Sequence, residues 1–398
     1  MAPLLDTSRR DYLVMIVTGM ATMFLVGISS PIIPLYAKQF TSDLILIGVT
    51  VSGYFAVRMF FEIPFGTLSD RMGPRKPLII GRAISIAGVI LSFLASNPVH
   101  LILARALWGI GDAAFFCIST AYIASVFPAQ SRGRAIGAFV SVETIGSFLG
   151  QSFAGFAAQA FGYRGIFLVS IPLSLATLPL LLILKGPRNA PSIEATQPPP
   201  NRDLRQLLTP TLIGLSILNF TIIFSSNGVT STILPIYITE HLLISLPEYG
   251  LLVAFSTIGS TIGNFSGGWL SDRIGRLRII LLGIIVLGVS SLLLPVATTY
   301  LPLAVTMIMH GLAWGTVYSV TPVLVIDAVS PRLRGMAVGM YRTFFDLGGL
   351  LGPICISAAA SSLGYIPSMY IGAFTVFFSL ATLPLIRKTN TRTRPKPE

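Results

Sequence analysis

Runs of about 20 apolar residues, the length that crosses a hydrocarbon layer of roughly 30 Å as a helix, recur from end to end of the chain, and polar and charged residues collect in the gaps between them. The pattern predicts helices over 12–36, 45–66, 78–96, 100–127, 135–160, 165–185, 210–238, 248–268, 279–297, 300–329, 336–362 and 366–386. Between the sixth and seventh lies Lys185 to Leu208, with Pro187, Pro191, Pro198, Pro199 and Pro200. Such a Pro-rich polar stretch cannot pack a core and reads as a linker. The expected domains are 1–185, a six-helix bundle; 186–208, a linker; and 209–398, a second six-helix bundle ending in a short basic tail.

One gap stands apart. Gly66-Thr-Leu-Ser-Asp70-Arg71-Met-Gly73-Pro74-Arg75-Lys76-Pro77 carries an acid, three bases, two glycines and two prolines, which predicts a short, wet turn between buried helices. It returns as Gly268-Trp-Leu-Ser271-Asp272-Arg273-Ile-Gly275-Arg276-Leu-Arg278, with Gly66, Leu68, Ser69, Asp70, Arg71 and Gly73 matched at one offset of 202. Pro34-Leu-Tyr36 is likewise echoed by Pro235-Ile-Tyr237, and Arg132-Gly133 by Arg334-Gly335. The repeated stretch resembles the loop signature of major facilitator superfamily transporters, close to their proton-coupled drug and metabolite efflux branch. Pro74 departs from that signature, which has a base there, and moves the basic pair to Arg75 and Lys76.

The resemblance covers nearly the whole chain. It implies an all-α membrane protein with twelve transmembrane helices in two pseudo-symmetric six-helix bundles, working by alternating access around a site near the midplane where the halves meet. It also implies a conformational latch on the cytoplasmic side, made by Gly66, Asp70, Arg71, Gly73 and Arg75 in one half and by Gly268, Asp272, Arg273, Gly275 and Arg276 in the other.

Composition supports a lipid solvent. Hydrophobic residues make up 53% of the chain and charged ones 11%, against about 25% charged in a soluble domain. A net charge of +12 would suit nucleic acid if the bases formed a patch. They instead crowd one alternate set of gaps, while the opposite loops hold only Lys38 and Arg164. By the positive-inside rule both termini and the linker are expected in the cytoplasm, around a multi-pass protein of the cell (plasma or inner) membrane. The first apolar run is too long for a cleavable signal and lacks a small-residue cleavage site. Cys117 and Cys355 sit in apolar runs and predict no disulfide. With three His and two Cys, no metal-ligand cluster and no Walker loop, the chain is read as no enzyme, with no cofactor and no ATP drive. The expected partners are a small-molecule substrate, protons and the lipid bilayer, with no nucleic acid, and a monomer is the expected state.

Ionisable groups inside apolar helices cost at least a few kcal/mol, which makes each a functional candidate. Helix 4 reads Arg105-Ala-Leu-Trp108-Gly109-Ile-Gly111-Asp112 and resembles the family's helix 4 pattern, associated with proton coupling, with Trp108 at the usual Gln. Arg105 and Asp112 are two turns apart on one face: too distant to touch at roughly 10 Å, close enough to share a cavity, or each free to pair with a neighbouring helix. Helix 5 carries Glu143, then Gly146-x-x-x-Gly150-Gln151 and Ala154-Gly155. This resembles the antiporter run of the family with Gln151 and Ala154 replacing its Pro and first Gly; small residues four apart also let helices approach. Helix 11 holds Arg342 and Asp346 at i, i+4, a self-satisfied pair or a substrate or proton site. In helix 2, Arg58 and Glu62 read as support for the signature loop, and Asp327 in helix 10 as a neutraliser of the second loop's bases, with uncharged Ser125 at the matched position. Asn219, Ser226, Asn227 and Thr230 in helix 7 and His310, Trp314 and Tyr318 in helix 10 form helical stripes that line a cavity or pack between helices.

The proton-coupling candidates are thus Asp112, Arg105, Glu143 and Asp346, and the substrate-binding candidates are Asn219, Asn227, His310, Trp314 and Arg342. The function expected is a secondary active transporter exporting a small organic molecule by proton antiport. Proton-coupled uptake or uniport is the alternative, and a lipid flippase or non-transporting receptor a more distant one.

Overall fold

Asp43, Asn97 and Thr209 each open a helix with a side-chain oxygen that accepts a backbone N–H, from Ile45 at 2.9 Å, His100 at 2.8 Å and Leu212 at 3.2 Å, filling donors the first turn leaves orphaned. Pro98 and Pro210 follow two of these caps, where a missing N–H costs nothing. The computed structural model of the protein describes residues 2–127, 129–184, 208–329 and 333–390. The expected linker falls outside them except for Leu208, as does the end of the basic tail.

The described residues form helices with no strand. In chain order they are α1 (Ala2–Ser29, extended by a short helix Ile33–Lys38), α2 (Leu44–Met72), α3 (Arg75–Leu94), α4 (Pro98–Val126), and a continuous segment Ala129–Ile183. That segment breaks at Gly162, φ +71°, a backbone state an L side chain rarely adopts; its parts before and after are α5 and α6. The second half holds α7 (Pro210–Ser225, continuing through a π-helical turn Ser226–Ile233 and Leu234–Glu240), α8 (Leu246–Ile274), α9 (Arg276–Leu293), α10 (Tyr300–Asp327), α11 (Arg334–Leu363) and α12 (Tyr365–Phe378, continuing through a 3₁₀ turn Ser379–Thr382 and Leu383–Asn390). Gly364, at φ +91°, splits α11 from α12 at the position matched to Gly162. Among the described residues, ten segments are long and apolar enough to cross a membrane. One of these, Arg134–Ile183 with 50 residues, supplies two crossings. α8, diluted by Ser, Thr, Gly and Asn264, is apolar over a shorter reach.

Two signature stretches differ from the expected turns. α2 runs helically through Ser69, Asp70 and Arg71 to Met72, and α8 through Asp272 and Arg273 to Ile274; the chain reverses at Gly73, φ +79°, and Gly275, φ +100°. A 29-residue helix spans roughly 43 Å at 1.5 Å per residue, more than the hydrocarbon core. The helix is therefore long enough for its polar last turns to lie beyond the apolar layer, and only the link itself is non-helical.

The chain folds as two compact units, Met1–Gln197 and Pro198–Glu398. In the first, α1 packs on the segment holding α5, α2 on α4, and α3 on α4. In the second, α7 packs on α11, α8 on α10, and α9 on α10 and α12. Glycines set both arrangements at matched places. A Cβ on Gly146 or Gly150 would come within 2.3 Å of the Met20 or Phe24 carbonyl oxygen, and one on Gly348 or Gly352 within 2.7 or 2.2 Å of those of Phe220 and Phe224. The Gly-x-x-x-Gly runs are helix contacts in each unit.

Candidate functional site

In the first unit α4 is squeezed from both sides. A Cβ on Gly109 would lie 2.3 Å from the Tyr54 carbonyl oxygen of α2, and one on Gly111 2.2 Å from Ser85 Oγ and 2.3 Å from the Gly81 carbonyl oxygen of α3. Having no side chains there, α4 accepts both neighbours at backbone contact. Asp112, the next residue, is thereby clamped between them: Tyr54 donates its hydroxyl to Oδ2 at 2.9 Å and Ser85 donates to Oδ1 at 2.9 Å. The carboxyl is 1% exposed.

Three buried arginines surround it. Arg82 of α3 lies within electrostatic reach of Asp112 and donates to Thr22 Oγ1 on α1. Arg58 of α2 lies 5.4 Å from the Tyr54 ring centroid, close to the Phe55 and Phe116 rings, and 3.9 Å from Glu62. Arg105 stands over the Tyr54 ring at 4.7 Å and the Trp108 ring at 5.4 Å, contacts that attract a cation to the ring face. Its Nε and Nη1 are buried with no hydrogen-bond partner. Arg105 and Asp112 meet through Tyr54: the ring serves one and the hydroxyl the other.

Backbone geometry repeats in the second unit and the charge does not. A Cβ on Gly311 of α10 would lie 1.8 Å from the Ser256 carbonyl oxygen of α8, the same crossing as Gly109 on Tyr54. Yet Trp314 occupies the position matched to Asp112, Ile284 that of Arg82 and Met307 that of Arg105. Trp314 stacks on Tyr318 at 4.6 Å and 11°, and both line a cavity of about 10 Å³ with Asn219, Thr321 and Tyr341, space for roughly one water. Asn219 donates to the Tyr341 carbonyl at 3.0 Å. His310 does not join that cavity; its ring nitrogens face Thr230, Ser290 and Ser291 hydroxyls at 3.4 to 3.5 Å. Asn227 falls on the π-helical turn of α7, where its carbonyl accepts the Thr232 hydroxyl at 2.6 Å.

The other predicted acids lie on other helices. Glu143 is half-buried on α5, its Cγ 3.3 Å from the point a Cβ on Gly19 would occupy. Asp346 is 2% exposed on α11, with half-buried Arg342 one turn before it. In the signature stretches Asp70, Arg71 and Asp272 are exposed. Arg75 donates to the Leu182 carbonyl and Arg10 to that of Ile183 at 2.8 Å, so two cations close the negative end of α6. Arg273 stacks over Trp269 at 3.9 Å. Arg276 donates to Asp327 and approaches Asp272 at 4.0 Å. Near the N-terminus of α1, Asp11 is 2% exposed and accepts the Tyr122 hydroxyl at 2.7 Å.

Sequence reasoning gave no role to Tyr54, Ser85, Arg82 or Asp11. Arg82 and Asp11 carried a usable signal, an ionisable group in or beside an apolar run. A tyrosine and a serine in a membrane helix carry none until their partner is known.

Twelve apolar helices in two repeated bundles, with buried charge beside the glycine crossings of one of them, define a membrane transporter of the alternating-repeat kind. The sequence model of the Major Facilitator Superfamily matches residues 15–228 and again 215–398, and the chain belongs to that superfamily. Among its relatives, an uncharacterized MFS-type transporter of Methanocaldococcus jannaschii is 23% identical over 93% of this chain and 96% of its own. The multi-drug resistance efflux pump PmrA of Streptococcus pneumoniae is 29% identical over 83% of this chain and 84% of its own. A bacterial homolog of the human lysosomal transporter Spinster shares the fold with a TM-score of 0.75 at 20% identity, over 98% of each chain.

Proposed function

We propose that the protein exports small organic molecules by proton antiport, with Asp112 as the group that takes and releases the proton. The observation that carries this reading is the contrast between the two units. The same glycine crossing holds Asp112 in one and Trp314 in the other, so packing alone does not call for a buried carboxyl and three arginines, each costly in lipid. The site's chemistry suits a changing proton count. Tyr and Ser hydroxyls both donate and accept, so Tyr54 or Ser85 can rotate to receive a hydrogen bond when Asp112 is protonated. Protonation also removes the counter-charge of Arg82, giving the bundle two electrostatically distinct states, the difference an alternating equilibrium needs.

Export is supported by the likeness to a multi-drug efflux pump, and a partly aromatic substrate by the Trp314–Tyr318 stack beside Asn219 and Tyr341. Proton-coupled uptake is the second reading. It is favoured by Gln151, which donates to Ser147 at 2.9 Å and leaves α5 without the proline of the family's antiporter run. The signature stretches are proposed as latches that close one half against the other, with both termini in the cytoplasm. A thermal-shift screen of the purified protein against compound classes supplies a substrate, and proteoliposome flux under an imposed pH gradient then tests coupling. Asp112→Asn is expected to abolish gradient-driven movement while substrate exchange persists; undiminished gradient-driven flux would move the role to Glu143 or Asp346.

A further inference from the structure

In the second unit, a groove of about 220 Å³ runs between the first turns of α9 and the end of α12, lined by Leu277, Arg278, Leu281, Leu380, Leu383 and Pro384. It lies where α12 tightens into the 3₁₀ turn Ser379–Thr382 before resuming as Leu383–Asn390. Five of its six lining side chains are aliphatic. The sixth, Arg278, is exposed at the polar end and among the described residues makes no hydrogen bond or ion pair. Beyond the groove the same two helices present exposed apolar side chains, Leu282, Ile285 and Val289 on α9 and Phe374 and Phe378 on α12, a surface suited to hydrocarbon.

We propose that this groove binds an anionic phospholipid of the leaflet on the basic-loop side, with the phosphate at Arg278 and one acyl chain along Leu277, Leu281, Leu380 and Leu383. The lining side chains offer one cation and no acceptor. A peptide or polar metabolite would leave its own donors unpaired there; an acyl chain has none to lose, and a phosphodiester brings the counter-charge that Arg278 lacks among the described residues. An arginine also matches phosphate oxygens with paired donors, and a basic side chain at the membrane surface attracts anionic lipid.

Native mass spectrometry of the full chain, released from detergent with equal phosphatidylglycerol and phosphatidylcholine, tests this. The wild type is expected to retain phosphatidylglycerol about fivefold over phosphatidylcholine, the factor one surface arginine supplies. Arg278→Gln should bring that ratio to about one, and Arg278→Lys should keep most of it, which separates loss of charge from loss of fold. Leu281→Trp, filling the groove, should reduce retention of both lipids. Inorganic phosphate in excess should not displace the bound lipid; displacement would replace the lipid by a free anion site. An unchanged ratio in Arg278→Gln, or retention unaffected by Leu281→Trp, would overturn the proposal.

Discussion

Arg276 donates to Asp327 across the feet of α9 and α10, and both partners are missing together in the other half, where the matched positions are Pro74 and Ser125. A pair that appears and disappears as a unit behaves as one device. Arg75, one residue beyond Pro74, turns instead to the end of α6. The two signature stretches, alike in sequence, are thus anchored differently.

The Arg276–Asp327 side chains are 32% and 51% exposed, so their coupling should be small. A double-mutant cycle with Arg276→Gln and Asp327→Asn is expected to give about 0.2–1 kcal/mol, shrinking as salt rises. A coupling that persists unchanged in ~1 M salt would contradict a surface pair.

Tyr54→Phe keeps the ring under Arg105 and removes the hydroxyl on Asp112. A hydrogen bond to a charged group contributes about 1.5–3 kcal/mol and a neutral one about 0.5–1.5 kcal/mol. Unfolding measurements should therefore show a smaller cost for Tyr54→Phe in an Asp112→Asn background than in the wild type. Equal costs in the two backgrounds would mean that the hydroxyl serves something other than the carboxylate.

Gly111→Ala places a methyl group against Ser85 Oγ and the Gly81 carbonyl oxygen, and backbone there cannot step aside cheaply. A loss of about 1–3 kcal/mol is expected from overpacking, together with impaired coupling as α3 is pushed from Asp112. Gly137→Ala on α5, with nothing within 4 Å, should be neutral or stabilising by up to about 1 kcal/mol. Similar melting temperatures for the two variants would refute the clamp.

Orientation in the membrane is tested with single cysteines in a background lacking Cys117 and Cys355. Ser96→Cys, in the link just before α4, is expected to react with an impermeant maleimide in intact cells, and Ser131→Cys, at the start of α5, only after the membrane is opened. Labelling of Ser131→Cys alone in intact cells would reverse the proposed topology, and labelling of both would break it.

The latch proposal predicts that Asp70→Asn slows transport by shifting the population of the two states. In the proposed latch Asp70 meets the positive N-terminal end of α11 when the halves close, and a contact of about 0.3–2 kcal/mol changes such a ratio by roughly 2- to 30-fold. Spin labels at Arg75 and Arg334 replaced by cysteine should report a redistributed distance; lost transport with an unchanged distribution would rule the latch out.

What could be read from sequence follows from what lipid demands. Helix existence was legible because a bilayer offers the backbone of 20 apolar residues no hydrogen-bond partner but itself, and Asp112 and Arg105 because charge in such a run is conspicuous. Helix ends at Met72 and Ile274 were not, since a helix that overshoots the hydrocarbon is indistinguishable from a turn by composition, and Gly73 and Gly275 decide the matter by backbone angle. The clamp on Asp112 was half legible: Gly109 and Gly111 announce a close approach, but not that Tyr54 and Ser85 make it. His310 shares a helical stripe with Trp314, yet periodicity is silent on depth along the axis, and the hydroxyls of α9 claim it first.

The π-helical turn Ser226–Ile233 gives α7 one residue of slack. Such a turn holds about one residue more than an α turn, so everything from Leu234 onward is rotated by roughly 100° from where an unbroken helix would carry it. A substitution scan along α7 should therefore show its sensitive positions change phase at that point, and removing a single residue between Ser226 and Ile233 should let the wide turn close into an ordinary one while Asn219 and Tyr237 keep their own neighbours. The same deletion made near Leu215 would carry Asn219 away from Tyr341.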